Sequence, residues 1–227
     1  AEFYFAYGAN VDVATLERRM GDEAQAVSAH ASVLRGYELR FDVPGLPYSE
    51  PAFASVAECA GASAHGVVYG LSEGGWERVL ATETGYTPIE VECVLSSGEI
   101  VTARTLSYPD DARIEGALPS ERYLGLLRAG ARHHKLSEEW QTYLAALPTY
   151  EQGQSPQAVA GALVTAALAL PVGVTAALSA SAASAAAGAD AGAQAAAASR
   201  AVGGAVWSVH DRILRPVFGD GGGARAA

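Results

Sequence analysis

The sequence predicts an α+β protein: a small mixed β-barrel flanked by helices, followed by an Ala-rich helical C-terminal extension. Three observations lead there. Short apolar stretches separated by turn residues recur through the first ~100 residues, with helical spacing between only a few of them. Most of these strands follow one another with few crossovers, which favours a curled sheet over a parallel α/β sheet. After Gln157 the composition changes abruptly, and 21 of the 41 residues from Ala158 to Ala198 are alanine.

Glu2 to Tyr7 is aromatic-rich and apolar, as a buried strand requires, and Gly8 breaks it. Asp12 is placed to cap a short helix over Val13 to Arg19. Extended stretches are expected over Ala24–Leu34 and Tyr37–Val43. Pro44, Gly45, Pro47 and Pro51 then predict a non-helical loop. Phe53–Ala57 and His65–Leu71 read as two strands with a Gly/Ser turn between them. Ser72 is expected to cap a helix whose Trp76, Val79 and Leu80 share one face, and that helix should stop near Gly85. Ile89–Leu95 and Glu99–Leu106 form a hairpin pattern around Ser96-Ser97-Gly98, a three-residue loop with glycine in the bulge position. Pro119-Ser120 opens a helix across Tyr123, Leu126 and Leu127. A last short helix runs from Ser137 to Leu147, where Pro148 closes it.

The expected organisation is a folded domain over 1–150, a linker over 151–157, an apolar extension over 158–218 and a Gly-rich tail over 219–227. Charge follows the same division. Residues 1–157 carry 11 Lys+Arg against 22 Asp+Glu, and residues 158–227 carry 4 against 3, which gives the overall −10. An acidic surface with a single lysine, Lys135, repels phosphate backbones, so no nucleic-acid partner is expected. Cys59 and Cys93 form no CxxC pair, which excludes a disulfide scaffold or a zinc ribbon. The five histidines show no HExxH spacing. His133-His134 read as a solvated helix end, where cations complement the dipole. GxSxG and the phosphate-cradling glycine loops are missing too, so neither metal nor cofactor is expected.

Three features remain as candidates for chemistry. Tyr7-Gly8-Ala9-Asn10 is a tight turn leaving an apolar strand. There a glycine admits close approach of a ligand, and successive N–H groups form a nest for oxygens. The bland alternative is an ordinary strand-to-helix turn. Glu83 lies at the C-terminal end of a predicted helix among Leu80, Ala81 and Tyr86. The negative end of the macrodipole disfavours a charge there, which suits a general base poised nearer neutrality. The alternative is an exposed glutamate at a frayed end. Tyr86 and Tyr123 are placed to aim phenols into a cleft, or else to serve as core or rim residues.

Together these features resemble the γ-glutamylcyclotransferase family over about Phe3 to Tyr150. Phe3-Tyr4-Phe5-Ala6-Tyr7-Gly8-Ala9-Asn10 looks like the family's opening FxYGSN strand and loop. Pro51-Ala52-Phe53-Ala54-Ser55-Val56 and Gly66-Val67-Val68-Tyr69-Gly70-Leu71 look like its next strands. Trp76-Glu77-Arg78-Val79-Leu80-Ala81-Thr82-Glu83 resembles the helix ending in the catalytic glutamate. Tyr123 to Arg132, with Leu136 and Trp140, resembles the late helix. Thr82-Glu83-Thr84-Gly85-Tyr86, with the loop Pro47 to Phe53, is similar to the fungal and plant branch.

The resemblance implies a γ-glutamylcyclotransferase-like barrel with a cleft at one end, and cyclisation of a small γ-glutamyl compound to 5-oxoproline with release of an amine or amino acid. It implies Glu83 as catalytic base and Tyr7, Gly8, Ala9, Asn10, Tyr86 and Tyr123 as substrate-binding residues, with no metal or cofactor. Ala9 stands where the family commonly has serine. Two alternatives go with it: a cyclotransferase-like domain serving as a structural or assembly subunit, and a related lyase acting on a modified glutamyl conjugate in secondary metabolism. The sequence leaves the compartment open between cytoplasm and plastid, with membrane association an option. The uncharged run Ala158 to Leu178 is 21 residues, about 31 Å as a helix at ~1.5 Å per residue, against a bilayer core of ~30 Å. Trp207, Arg200, Arg212 and Arg215 follow it. Residues 158–218 are therefore expected to anchor the domain to a membrane or a membrane-protein assembly, the alternative being a tail in water.

Overall fold

A computed structural model describes residues 2–22, 24–167 and 189–221. Five strands close into a barrel in the order β1-β3-β2-β4-β5. They are β1 (Glu2–Ala6), β2 (Ala26–Leu46), β3 (Glu50–Leu71), β4 (Thr87–Leu95) and β5 (Ile100–Ser107). β1 runs antiparallel to β3 with Tyr4 opposite Tyr69, and parallel to β5 with Tyr4 opposite Arg104. β2 pairs with β4 and β4 with β5, both antiparallel. The parallel contact between β1 and β5 closes the barrel and makes it mixed, as expected. Closure also removes the open sheet edge that would template aggregation.

The expected Gly/Ser turn is absent, and stretches expected as separate strands are joined. The stretches predicted on either side of Arg35-Gly36 form one strand, and so do those on either side of Gly61-Ala62-Ser63. Gly36 and Gly61 have φ of +76° and +84°, a conformation that bends a strand without ending it. Turn chemistry thus becomes an in-strand kink here, and the Pro-rich loop shrinks to a tight turn at 47–49. The β4–β5 hairpin forms as predicted, with Gly98 at φ +89° and Leu95 N–H donating to the Glu99 carbonyl at 2.8 Å.

The chain divides into two compact units. The first comprises Ala1–Arg40, Ala54–Tyr108 and Arg122–Leu147. It holds most of the barrel and four helices: α1 (Val13–Met20), α2 (Gly75–Thr82), α3 (Glu121–His133, from Arg122 on) and α4 (Glu138–Ala146). Asp12 caps α1, accepting from the Thr15 N–H at 2.9 Å. Leu16 and Met20 are fully buried on its inner face. Gly74, not Ser72, precedes α2; the Ser72 hydroxyl instead accepts from the Gln25 N–H at 2.9 Å. Ser137 caps α4. At the other end of α4, Arg128 of α3 donates to the carbonyls of Leu144 and Leu147 at 3.0 and 3.3 Å, satisfying groups a helix terminus leaves open. The core contains Phe5, Leu34, Val56, Val67, Leu71, Leu124 and Leu127.

The second unit comprises Phe41–Phe53, Pro109–Glu121 and Pro148–Ala227. Its helices are α5 (156–167), α6 (Ala189–Val209), a π-helical turn His210–Leu214 and α7 (Arg215–Phe218). Trp207 is buried with Ala52, Ala117 and Tyr150, and Phe41, Ile114 and Leu118 pack on them. Its indole N–H donates to the Gly45 carbonyl at 3.1 Å. The tryptophan expected at a membrane interface is thus a core residue. Tyr48, fully buried, donates to the Gly219 carbonyl at 2.7 Å, and Arg113 pairs with Asp42 at 2.7 Å. Among the described residues no helix is long and apolar enough to cross a membrane. Of the run Ala158–Leu178, residues 168–178 lie outside the described residues.

Candidate active site

β1 delivers the chain to the candidate loop. The Tyr7 hydroxyl donates to the Leu106 carbonyl of β5, so that phenol secures the strand end. Gly8 then leads into a 3-10 turn, Ala9–Val11. The turn's first internal bonds are donated by Val11 to the Gly8 carbonyl at 3.0 Å and by Asp12 to the Ala9 carbonyl at 3.1 Å. The N–H groups of Gly8, Ala9 and Asn10 therefore stand ahead of the turn's own ladder. Behind it, the Tyr69 hydroxyl donates to the Val11 carbonyl at 3.1 Å, and His134 Nε2 lies 2.9 Å from that hydroxyl. A Cβ on Gly130 would sit 2.6 Å from the Val11 backbone, so α3 reaches this loop only with glycine there. His134 is therefore half-buried against the loop and is not the solvated helix end predicted for it. Burial, and then neighbouring His133, lower its pKa, opposed by its bond to the Val11 backbone and by Asp12.

Glu83 is the C-cap of α2, its N–H donating to the Leu80 carbonyl at 3.2 Å. Its side chain is only 14% exposed. Asn10 Nδ2 donates to Glu83 Oε1 at 3.0 Å and to the Tyr4 hydroxyl at 2.9 Å. Arg19, in the last turn of α1, pairs with the same Oε1 and donates to Asn10 Oδ1 at 2.8 Å. Burial pushes the Tyr4 phenol up to about 12, partly offset by its bond to Asn10 and by Arg19, so it stays protonated. The apolar setting expected for Glu83 thus includes a cation. A basic residue near a helix C-terminus already has a sufficient explanation in the dipole, which hides Arg19 in the sequence.

The two predicted tyrosines meet at one residue of β3. Tyr86 donates to the Ala54 carbonyl at 2.7 Å, and Tyr123 accepts from the Ala54 N–H at 3.1 Å. A Cβ on Gly8 would lie 3.1 Å from the Tyr123 hydroxyl and 3.5 Å from Ala54 Cβ. Burial, reinforced by the phenols of Tyr123, Tyr7 and Tyr108, raises the Tyr86 pKa well above its ordinary value. Both phenols hydrogen-bond the Ala54 backbone and fix β3 beside the loop. Among the predicted residues, Asn10 and Glu83 are in direct contact, Gly8 borders Tyr123, and Tyr7 turns to β5. Among the described residues no group of His, Cys, Asp or Glu side chains is arranged to hold a metal ion.

A closed barrel thus carries a strand-end loop against one carboxylate at a helix end. The chain is similar to the γ-glutamyl cyclotransferase gliK of Aspergillus fumigatus, 32% identical over 189 residues, which cover 71% of this chain and 68% of that one. It is 28% identical to gliK of Claviceps purpurea, covering 59% of this chain and 62% of that one, and 27% identical to the γ-glutamyl cyclotransferase aclK of Aspergillus oryzae, covering 57% and 55%. Among solved structures, a γ-glutamyl cyclotransferase superposes with a TM-score of 0.59 at 22% identity, over 68% of this chain and 92% of that one. An uncharacterized human protein gives 0.58 at 22% over the same shares. No family model matches the chain. The chain belongs to the γ-glutamyl cyclotransferase family.

Proposed function

We propose that this protein cyclises a small γ-glutamyl compound to 5-oxoproline and releases the attached amine or amino acid. The observation that carries this reading is the 3.0 Å bond from Asn10 to Glu83, which brings the loop and the carboxylate to one place. Both contacts of Glu83 fall on Oε1, which leaves Oε2 to take a proton.

The reaction balances with these residues alone. The substrate α-amine is largely ammonium at neutral pH, and Glu83 accepts a proton from it. The freed nitrogen attacks the γ-carbonyl carbon, a C–N bond forms, and the carbonyl electrons move to oxygen. In this reading the loop N–H groups of Gly8 to Asn10 donate hydrogen bonds to that oxyanion; one such preorganised donor is worth about 2.7–4 kcal/mol. Glu83 gives the proton it accepted to the leaving nitrogen and takes the surplus proton of the ring nitrogen; collapse then breaks the original amide C–N bond, and Glu83 passes its proton to the released amine, which departs as ammonium while the carboxylate is restored. Nucleophile and electrophile belong to one molecule, so holding the chain folded supplies much of the acceleration.

Ala9 offers its backbone N–H but no hydroxyl, and this one departure favours the second reading, a domain retained for assembly. Incubation of the full chain with glutathione, γ-glutamyl-L-alanine and a γ-glutamyl amine, with 5-oxoproline and the released amine both measured, separates the two. Stoichiometric release of both products, lost in Glu83→Gln, supports the enzyme. No release from any probe overturns it and favours the assembly role.

A further inference from the structure

We propose that Arg19 is a positioning residue for Glu83, working through Asn10; this rests on the cyclotransferase reading above. The three side chains form a closed ring. A guanidinium only donates hydrogen bonds, and an ionised carboxylate only accepts them. The Asn10 amide lies between the two and has one group of each kind. It faces Arg19 with Oδ1 at 2.8 Å and Glu83 with Nδ2 at 3.0 Å. The reversed amide would set N–H against N–H and oxygen against oxygen, so its two neighbours dictate one orientation. In that orientation the second Nδ2 proton reaches the Tyr4 hydroxyl at 2.9 Å, which leaves every polar atom of the Asn10 side chain engaged while the residue is 3% exposed.

The ring closes on itself because Arg19 also pairs with Glu83 Oε1. Two donors on one carboxylate oxygen hold that oxygen and aim the other. The guanidinium itself comes from a well-anchored element. Asp12 caps the start of α1, the Gly21 N–H closes its end on the Glu17 carbonyl at 2.9 Å, and Leu16 and Met20 are fully buried. The Arg19 side chain is 26% exposed, so its replacement need not disturb the core. Displacing a reacting group by about 1 Å costs on the order of 100-fold in rate. Both Arg19 contacts come from one nitrogen, Nη1, of a planar group that fixes the direction of its N–H bonds; lysine supplies the charge as a point on a flexible stem.

The assignment separates turnover from binding. Arg19→Gln should lower kcat on the order of 10- to 100-fold while KM stays within about threefold, because Arg19 acts on Glu83 and not on the substrate. Arg19→Lys should recover part of the loss. The decisive measurement is the cycle of Arg19→Gln, Glu83→Gln and the double variant, using the probe that the wild type turns over fastest among glutathione, γ-glutamyl-L-alanine and a γ-glutamyl amine. The double variant should be no slower than Glu83→Gln alone. Losses that multiply, or an Arg19→Gln effect confined to KM, would overturn the positioning role and make Arg19 an independent substrate contact. If Arg19→Gln fails to fold, the Arg19→Lys cycle decides, since its residual loss must likewise vanish once Glu83 is gone. A wild type inert towards all three probes removes the cyclotransferase reading and this assignment with it. An active wild type with a multiplicative cycle removes this assignment alone.

Discussion

Asn10 and Glu83, 73 positions apart in the sequence, share a hydrogen bond of 3.0 Å. One leaves β1 and the other ends α2, so their contact depends on the barrel that carries both elements. Glu83→Gln preserves the shape of the side chain and removes its basicity. Turnover to 5-oxoproline should fall by about 10²–10⁴-fold, the usual contribution of a general base, while circular dichroism and the unfolding midpoint change little. Equal rates in the two proteins would exclude Glu83 as the base.

Asn10 holds three partners with one buried amide. Asn10→Leu is close in volume but leaves Glu83, Arg19 and Tyr4 each without one bond. Unsatisfied buried groups cost about 1–3 kcal/mol each, less where water reaches them, as it does at Arg19 and Glu83. Denaturant unfolding should show a loss of about 1–3 kcal/mol with the m-value unchanged. A variant as stable as the wild type would show that the ring contributes nothing to folding.

Gly8 leaves the Tyr123 hydroxyl just enough room. The Cβ of Gly8→Ala would come to 3.1 Å from that oxygen, and Gly8→Val adds two methyls beyond it. Gly8→Val should raise KM sharply, and Gly8→Ala more mildly. Removing the hydroxyl with Tyr123→Phe should relieve part of the Gly8→Ala defect, a non-additive cycle expected of neighbours. Losses that simply multiply would mean that the two residues do not share the loop's space.

The barrel, the helix carrying Glu83 and the Asp12 cap were legible because each rests on local chemistry: apolar runs, a capping residue, a three-residue loop with glycine. The Gly/Ser stretch around Gly61 misled for the same reason. Locally it reads as a turn, and only pairing with neighbouring strands decides that the chain continues through it. The candidate site was legible as separate residues, Glu83 and the loop from Tyr7 to Asn10, and the resemblance to a family joined them into one expectation. Arg19 and Ala54 were not. Arg19 has an ordinary reading as the end of a helix, and Ala54 contributes only backbone, which no side-chain motif records. Trp207 was misread because an aromatic beside arginines looks the same at an interface and in a small core.

Gly130 is the contact point of α3 with the loop. A Cβ there would lie 2.6 Å from the carbonyl carbon and oxygen of Val11, which are backbone atoms with no rotamer to yield. Alanine is the better helix former by about 1 kcal/mol, so propensity alone predicts that Gly130→Ala stabilises. Overpacking typically costs about 1–3 kcal/mol and should win. The expected result is a lower melting temperature together with a raised KM, since the 3-10 turn must move. Stabilisation without a kinetic effect would show that the loop shifts freely and is not braced by α3.

His134 makes the same bracing sensitive to pH. It faces the Tyr69 hydroxyl and the Val11 backbone, with His133 beside it and Asp12 nearby. Burial lowers its pKa in the folded state. The unfolded chain, with an ordinary histidine value near 6.5, therefore binds the proton first as pH falls. The contribution of neutral His134 is complete above that value and is lost progressively below it. His65 is shifted in the same direction by its own burial, so the total profile belongs to both residues. The difference between wild type and His134→Gln isolates one of them. Stability measured from pH 7.5 to 5 should fall more steeply for the wild type, and the two curves should run parallel above about pH 7. Parallel curves through the whole range would mean that His134 titrates alike in both states and does not brace the loop as a neutral group.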